Sequence, residues 1–252
     1  MYQSLEAEWH DLFWEAEGPA AELPLMEFFL KKHPGKALEI GCGSGRLLLP
    51  LLAKGYELEG LDNAPEMIDR CEKAARAAGL SPTLHCADLF TLPLDSGYQA
   101  LALPAFTLQL LPDPIAAMLR MQELLTEGGG LYFSVFYPWL ELEGELPEGE
   151  FYPDHSLPLP DGKEAAIVTR HELDRAAQIL TRTHRYELRA GAGVERSYES
   201  RQVIRYATEE DWENLLHAAG FAVEERWEDF SQEENAGEES AGVTTYLARK
   251  AT

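Results

Sequence analysis

The chain has 252 residues, with 44 acidic against 21 basic side chains and a formal net charge of −23. That length suits one domain with a sizeable core, or a domain plus a subdomain, and the negative charge repels phosphate backbones, so no nucleic-acid partner is expected. No apolar run approaches the about 20 residues of a membrane span, the start Met1-Tyr2-Gln3-Ser4-Leu5-Glu6 lacks a basic region followed by an apolar one, and Cys42, Cys71 and Cys86 form no C-x-x-C pair, so the expectation is a cytoplasmic protein without a disulfide framework.

Apolar residues at helical spacing mark 2–16 and 19–32, separated by Gly18-Pro19. Strands and helices then alternate. The reading is strand 36–41, helix 44–53, strand 56–61, helix 65–78 and strand 82–86. Tyr98 to Leu103 is an apolar run of strand length, suited to the centre of a parallel sheet. Asp113-Pro114 opens a helix over 114–125, and Glu127-Gly128-Gly129-Gly130 turns into a strand from Leu131 to Phe136. This alternation predicts an α/β, doubly wound, mostly parallel sheet with right-handed crossovers. From Tyr137 to about Ala207 the helix signal disappears. Two acidic, proline-rich loops and three period-2 runs take its place: 165–173, 179–188 and 198–207. They read as a small antiparallel sheet inserted into the α/β domain. Arg182, Arg185, Arg189, Arg196, Arg201 and Arg205 there are interleaved with Glu187, Glu195 and Glu199, a solvated mixed-charge face. The acidic stretches Glu141–Glu150 and Glu224–Glu239 read as solvated too. Thr208 then caps a helix with acids in its first turn and the stripe Trp212, Leu215, Leu216 and Ala219. Strands over 221–230 and 243–249 close the chain.

The chemistry concentrates at the first strand end, Leu38-Glu39-Ile40-Gly41-Cys42-Gly43-Ser44-Gly45-Arg46. Glycines there let a ligand approach the backbone where a Cβ would block it. A dinucleotide fingerprint places a third glycine where Arg46 stands, and a P-loop needs Gly-Lys-Ser/Thr, which does not follow. Asp62 ends the second strand about twenty residues later, where doubly wound nucleotide folds hold the ribose hydroxyls. Asn63-Ala64-Pro65-Glu66-Met67-Ile68 follows it, and Pro82-Thr83-Leu84-His85-Cys86-Ala87-Asp88-Leu89 forms the third strand end. Together these segments resemble motif I and the segments after it in the class I S-adenosylmethionine (SAM) methyltransferases. The ending of helix, Ala218-Ala219-Gly220-Phe221, strand, acidic loop and strand resembles that family's C-terminus.

The resemblance covers roughly 35–136 and 207–250. It implies a seven-stranded Rossmann-like sheet with an antiparallel last strand, SAM as cofactor, S-adenosylhomocysteine as product, and no metal. Glu39, Gly41, Gly43 and Gly45 would flank the methionine part of SAM. Asp62, with Asn63 beside it, would hold the ribose. Met67 would cover the adenine face or pack in the core of its helix. Asp88 and the Leu89 amide would read the adenine edge, and Leu103 would close the fourth strand beside the cofactor. Arg46 is either exposed or a support of the loop. Cys42 and Cys86 read as small hydrophobes at the core edge.

Acceptor residues are less legible. Leu103 to Pro114 resembles the family stretch P-F-N-S-L-Q-H-L-P-D-P, but Phe106 replaces the usual Asn and Leu110 the usual His. Thr107 and Gln109 remain as polar candidates. Tyr2, Trp9, Phe13 and Trp14 either close over the ligand or form the packed stripe of an amphipathic helix. Tyr137 and Trp139 follow the fifth strand, at the carboxyl edge where ligands bind such sheets. Of His155, His171 and His184, His155 is the leading candidate base, with Tyr137 and Gln109 as the other catalytic candidates. The expected organisation is a helical cap over 1–34, a SAM-binding domain over 35–137 and 207–252, and an inserted subdomain over 138–206. That insert would be a roof over the acceptor, or a homodimer surface. The function expected is methyl transfer to a small molecule. The alternatives are methylation of a protein or peptide side chain, and SAM binding without catalysis.

Overall fold

The computed structural model describes residues 4–18, 20–91, 97–191, 193–232 and 242–251. The elements in chain order are α1 (Ser4–Glu17), α2 (Leu23–Lys32), β1 (Ala37–Ile40), α3 (Leu48–Ala53), β2 (Leu58–Asp62), α4 (Pro65–Ala77) and β3 (Leu84–Cys86). There follow β4 (Tyr98–Leu103), α5 (Thr107–Leu110), α6 (Pro114–Leu124), β5 (Leu125–Phe136) and α7 (Trp139–Leu142). The chain continues through β6 (Tyr152–Pro158), β7 (Glu164–Asp174), β8 (Ile179–Ala190) and β9 (Gly193–Arg205) to α8 (Glu209–Ala218), β10 (Phe221–Glu228) and β11 (Val243–Lys250). They form two compact units, one of Ala20–Tyr137 with Ala207–Thr252, the other of Pro138–Tyr206 with the segment that holds α1.

The larger unit is a seven-stranded sheet in the order β10-β11-β5-β4-β1-β2-β3. β1 pairs in parallel with β2 and β4, and all four of its residues are buried, as a central strand covered on both faces requires. Only β11 runs against its neighbours β5 and β10, which is the antiparallel last strand expected. Successive side chains divide between two cores. Leu38, Leu101, Leu131 and Phe133 pack with Met118, Met121, Trp212 and Leu216 of α6 and α8. Ala37, Ala100, Ala102 and Tyr132 face Met26, Phe29, Leu48 and Cys71 on α2, α3 and α4. The small Ala100 and Ala102 leave room on that face for buried side chains from neighbouring strands.

Three boundaries differ from the sequence reading. The helix expected from residue 44 starts at Leu48, because Gly45 and its neighbours remain in the loop. The Gly128–Gly130 turn lies inside β5, where the register shifts between Tyr98↔Leu125 and Ala100↔Gly130. α5 was not anticipated, being a single turn.

The smaller unit is a four-stranded antiparallel sheet, β6-β7-β8-β9, where three strands were expected. β6 contains Pro153 and Pro158 and lies at the sheet edge, where a missing N–H is tolerated. α7 also falls where no helix was read. Leu5 and Trp9 of α1 pack on Ala165, Ile167 and Tyr186, so the apolar stripe of this helix covers the small sheet. α1 thus goes with the inserted sheet and α2 with the large one. On the arginine face, expected to be solvated and of mixed charge, Arg185 pairs with Glu199 and Arg196 with Glu8. Glu141 corrects the solvated reading of its stretch. It is 3% exposed, and Arg182 Nε donates to its Oε1 at 2.9 Å. Cys86 is another correction. It is exposed, because β3 is the edge strand of its sheet. Among the described residues no helix is long and apolar enough to cross a membrane.

α8 starts with a capping box. Thr208 Oγ1 accepts from the Asp211 amide, and the Asp211 carboxylate accepts from the Thr208 amide. Thr208→Ala is expected to lower unfolding free energy by about 1 kcal/mol. Urea unfolding measures this, and an unchanged midpoint would mean the box is redundant.

Candidate functional site

At the carboxyl edge of the parallel strands the backbone turns sharply. The Gly41 and Cys42 amides both donate to Leu61 O, at 2.7 and 3.1 Å, tying the end of β1 to the end of β2. Gly41 has φ +78°, and a Cβ there would lie 2.6 Å from Thr107 Cγ2. Gly45 has φ +91°, and a Cβ there would lie 2.7 Å from Cys71 Sγ on α4. Neither position admits another residue without movement. The glycine loop is thus pressed between α5 and α4.

Asp62 organises this loop. Its Oδ2 accepts from the Gly43 amide at 2.9 Å and its Oδ1 from the Ala64 amide at 2.8 Å. A carboxylate offers about four lone-pair sites, so two backbone bonds leave capacity for a diol. Asn63 beside it is exposed. Asp88 is exposed and accepts from the Phe90 amide at 2.8 Å, while Leu89 is buried. Met67 and Leu103 are fully buried, the setting of core side chains.

Glu39 is 2% exposed, and its Oε2 has no hydrogen-bond partner. Burial pushes its carboxyl up to about 8; the nearby Glu22 adds to this, and Arg46 opposes it. Glu22 has no counterpart in the sequence reading. It lies just before α2, is 3% exposed, and accepts from Tyr132 Oη at 3.1 Å and from the Ala105 amide at 2.8 Å. Nothing local in the sequence distinguishes it, because its partners lie on β5 and after β4.

The loop after β4 is strained. Ala105 and Phe106 have φ of +50° and +62°, a conformation costing a non-glycine residue about 1–2 kcal/mol. Asn tolerates this region better than most residues, which gives a backbone reason for the usual Asn where Phe106 stands. Here Phe106 packs edge-on against Phe136, with ring centroids 5.0 Å apart. Thr107 Oγ1 donates to Pro104 O at 2.7 Å beside Gly41. Gln109, a catalytic candidate from the sequence, is held by the backbone of β5. It is fully buried, its Nε2 donates to Phe136 O at 3.0 Å, and its Oε1 accepts from the Phe136 amide at 2.8 Å. Its amide fastens the end of β5.

Tyr137 is half-buried at the end of the large unit. Trp9, Trp139 and His155 belong to the small one. Trp9 is buried on Tyr186, and Trp139 is exposed. Tyr2 and the side chain of Trp14 lie outside the described residues. The His155 side chain is 53% exposed, with Nε2 3.3 Å from Asp154 Oδ1. His184 is better held. Thr169 Oγ1 donates to Asp154 Oδ2 at 2.5 Å, so its one hydrogen is used and it accepts from His184 Nδ1 at 2.8 Å. Burial pushes His184 down, against the opposing pull of Asp154, and so favours its neutral form. Among the described residues no three His, Cys, Asp or Glu side chains are grouped to hold a metal ion.

A family model described as a methyltransferase domain matches residues 37–129, the segment that carries the glycine loop, Asp62 and Asp88. That match supports a class I SAM-dependent methyltransferase. Among curated methyltransferases, the aklanonic acid methyltransferase of a Streptomyces species (strain C5) is 32% identical over 103 residues, 39% of this chain and 47% of that protein. The chain spans about half the length of the first curated relatives it matches, 47%, 56% and 52%. The fold is that of solved methyltransferases. A SAM-dependent methyltransferase from Clostridium acetobutylicum superposes with TM-score 0.78 at 16% identity, covering 97% of this chain and 96% of that one. A SAM-bound amino pentose methyltransferase from Micromonospora echinaspora gives 0.70 at 20% identity, covering 100% and 98%. The site fits SAM on its own chemistry. A buried carboxylate oxygen without a donor suits a cationic ligand, and the glycine loop admits close approach.

Proposed function

We propose that this protein binds SAM at the carboxyl edge of β1, β2 and β3 and transfers its methyl group to a small-molecule acceptor, leaving S-adenosylhomocysteine. The buried, unpartnered Glu39 oxygen beside the Asp62-braced glycine loop is the observation that carries this reading. When bound, SAM supplies a methyl carbon already activated by its positive sulfur. The protein's task is then alignment and exclusion of water, since in-line approach at about 3–3.5 Å supplies much of the rate. Glu39 would pair with the ammonium of the methionine part and Asp62 would accept from the ribose hydroxyls. Asp88 and the Leu89 amide would read the adenine edge.

In the smaller unit His184 is held by the Asp154–Thr169 chain, whereas His155 is exposed. The small-molecule class is supported by relatives named for aklanonic acid and ubiquinone biosynthesis, and by the amino pentose methyltransferase of like fold. Three cysteines without disulfides suit a cytoplasmic setting.

The test is incubation of the purified protein with methyl-labelled SAM and pools of phenolic acids, quinols and amino sugars. Label is expected in the small-molecule fraction. Label confined to added protein or peptide would favour side-chain methylation. Tight SAM binding with no transfer to any fraction would favour a regulator.

A further inference from the structure

We infer that Glu22 and Glu39 form a buried acid pair that holds one proton, on Glu39, in the cofactor-free protein, and that the α-ammonium group of SAM displaces this proton on binding. The inference rests on the cofactor reading above and extends it to a residue outside the family motif. Sheet register places the two acids together. Glu39 pairs with Ala102, and Ala102 pairs with Tyr132, so the three occupy one row across β1, β4 and β5. Side chains in one row share a face of the sheet. Ala102 is too small to separate its neighbours. Tyr132 donates its hydroxyl to Glu22 Oε1, which brings the second carboxyl over the same row from α2.

The two acids are unequally solvated. Burial pushes the Glu22 carboxyl up, but it accepts from Ser134, from the Ala105 amide and from Tyr132, donors that oppose this. Glu39 Oε2 has no donor. Two carboxylates this deeply buried cannot both ionise cheaply, so the proton resides on Glu39. Other groups bear on Glu39 too. Arg46, in the loop after β1, pulls toward ionisation, while burial, Glu22 and Asp62 all push the other way. Cys42 and Tyr132 are buried and held neutral, their own ionisation pushed up mainly by burial. An ammonium placed against Glu39 Oε2 supplies the missing donor and the missing charge. The Glu39 O–H bond then breaks, its proton passes to solvent, and a carboxylate–ammonium pair forms.

The sign of the pH effect follows. Ionisation of Glu39, pushed up to about 8, is required for binding. Affinity therefore rises with pH and levels off near about pH 8, where the ligand's α-amino group begins to lose its own proton. Titration calorimetry of SAM into the full chain, in buffers of different ionisation enthalpy, counts the protons directly. Close to one proton released per SAM is expected near about pH 7, with Kd falling ~tenfold per pH unit between about pH 6 and 7. S-adenosylhomocysteine keeps the ammonium and lacks the sulfonium, so it should release the same proton. Glu22→Gln should cut the proton count and flatten the pH slope while tightening binding several-fold near about pH 6. A purely structural role for Glu22 would lower the melting temperature and leave the proton count alone. SAM binding without proton release, release by SAM but not by S-adenosylhomocysteine, or an unchanged count in the variant would each overturn the pair. Absence of SAM binding even near about pH 8 would instead sink the cofactor reading, and this inference with it.

Discussion

Asp62→Ala is expected to weaken SAM binding by about 1.5–3 kcal/mol, roughly ten- to a hundredfold in Kd. Two losses combine. The ribose hydroxyls lose a charged acceptor, and the Gly43 and Ala64 amides lose the carboxylate that holds them at 2.9 and 2.8 Å. Unpairing those amides should also lower the melting temperature, because a loop amide left without an acceptor destabilises the closed conformation. Asp62→Asn is no mild control here. An amide oxygen can accept from one of the two backbone N–H groups, but the –NH2 would then face the other, donor against donor. The Asn variant should therefore approach the Ala variant in stability as well as in affinity. Calorimetry and thermal melts on both variants measure this. An Ala variant that melts lower but binds SAM unchanged would reduce Asp62 to a brace for the loop.

The parallel half of the fold was legible because its signals are local. Glycines after an apolar run, an acid at the next strand end and Pro65 opening a helix each report on their own few residues. What escaped the sequence depends on distant partners. Glu22 is buried because Tyr132, 110 positions away, donates to it. Glu141 is buried because Arg182, 41 positions away, neutralises it. In isolation both are surface-type residues, Glu22 in an apolar stretch and Glu141 in an acidic one. β6 escaped for another reason: prolines argue against a strand except at a sheet edge, and edge position is set by tertiary order. Gln109 was read from its position in a motif, but its amide is spent on the Phe136 backbone. A side chain near a site is a candidate only while its polar atoms are uncommitted.

Gly41→Ala should be among the most damaging single substitutions in the large unit, and the reason can be separated into two parts. At φ +78° an alanine carries a backbone cost of about 1–2 kcal/mol. Its Cβ would also meet Thr107 Cγ2 at 2.6 Å, Oγ1 at 2.7 Å and Cβ at 3.2 Å. Rotation about χ1 does not relieve this, because Thr107 Cβ itself is close and Oγ1 is held by its bond to Pro104 O at 2.7 Å. Overpacking of this kind costs about 1–3 kcal/mol, so a total loss of about 2–5 kcal/mol is expected. Thr107→Ala removes the two shortest contacts but not the backbone cost. The double variant keeps the Cβ contact at 3.2 Å and should therefore recover most of the overpacking part alone, giving a coupling of about 1–2 kcal/mol in a double-mutant cycle. Urea unfolding of the four proteins reads this directly. Strict additivity would mean that Thr107 does not press on the glycine loop. The cost of Gly41→Ala would then lie in the backbone alone, and α5 would have no part in shaping the turn that meets the cofactor.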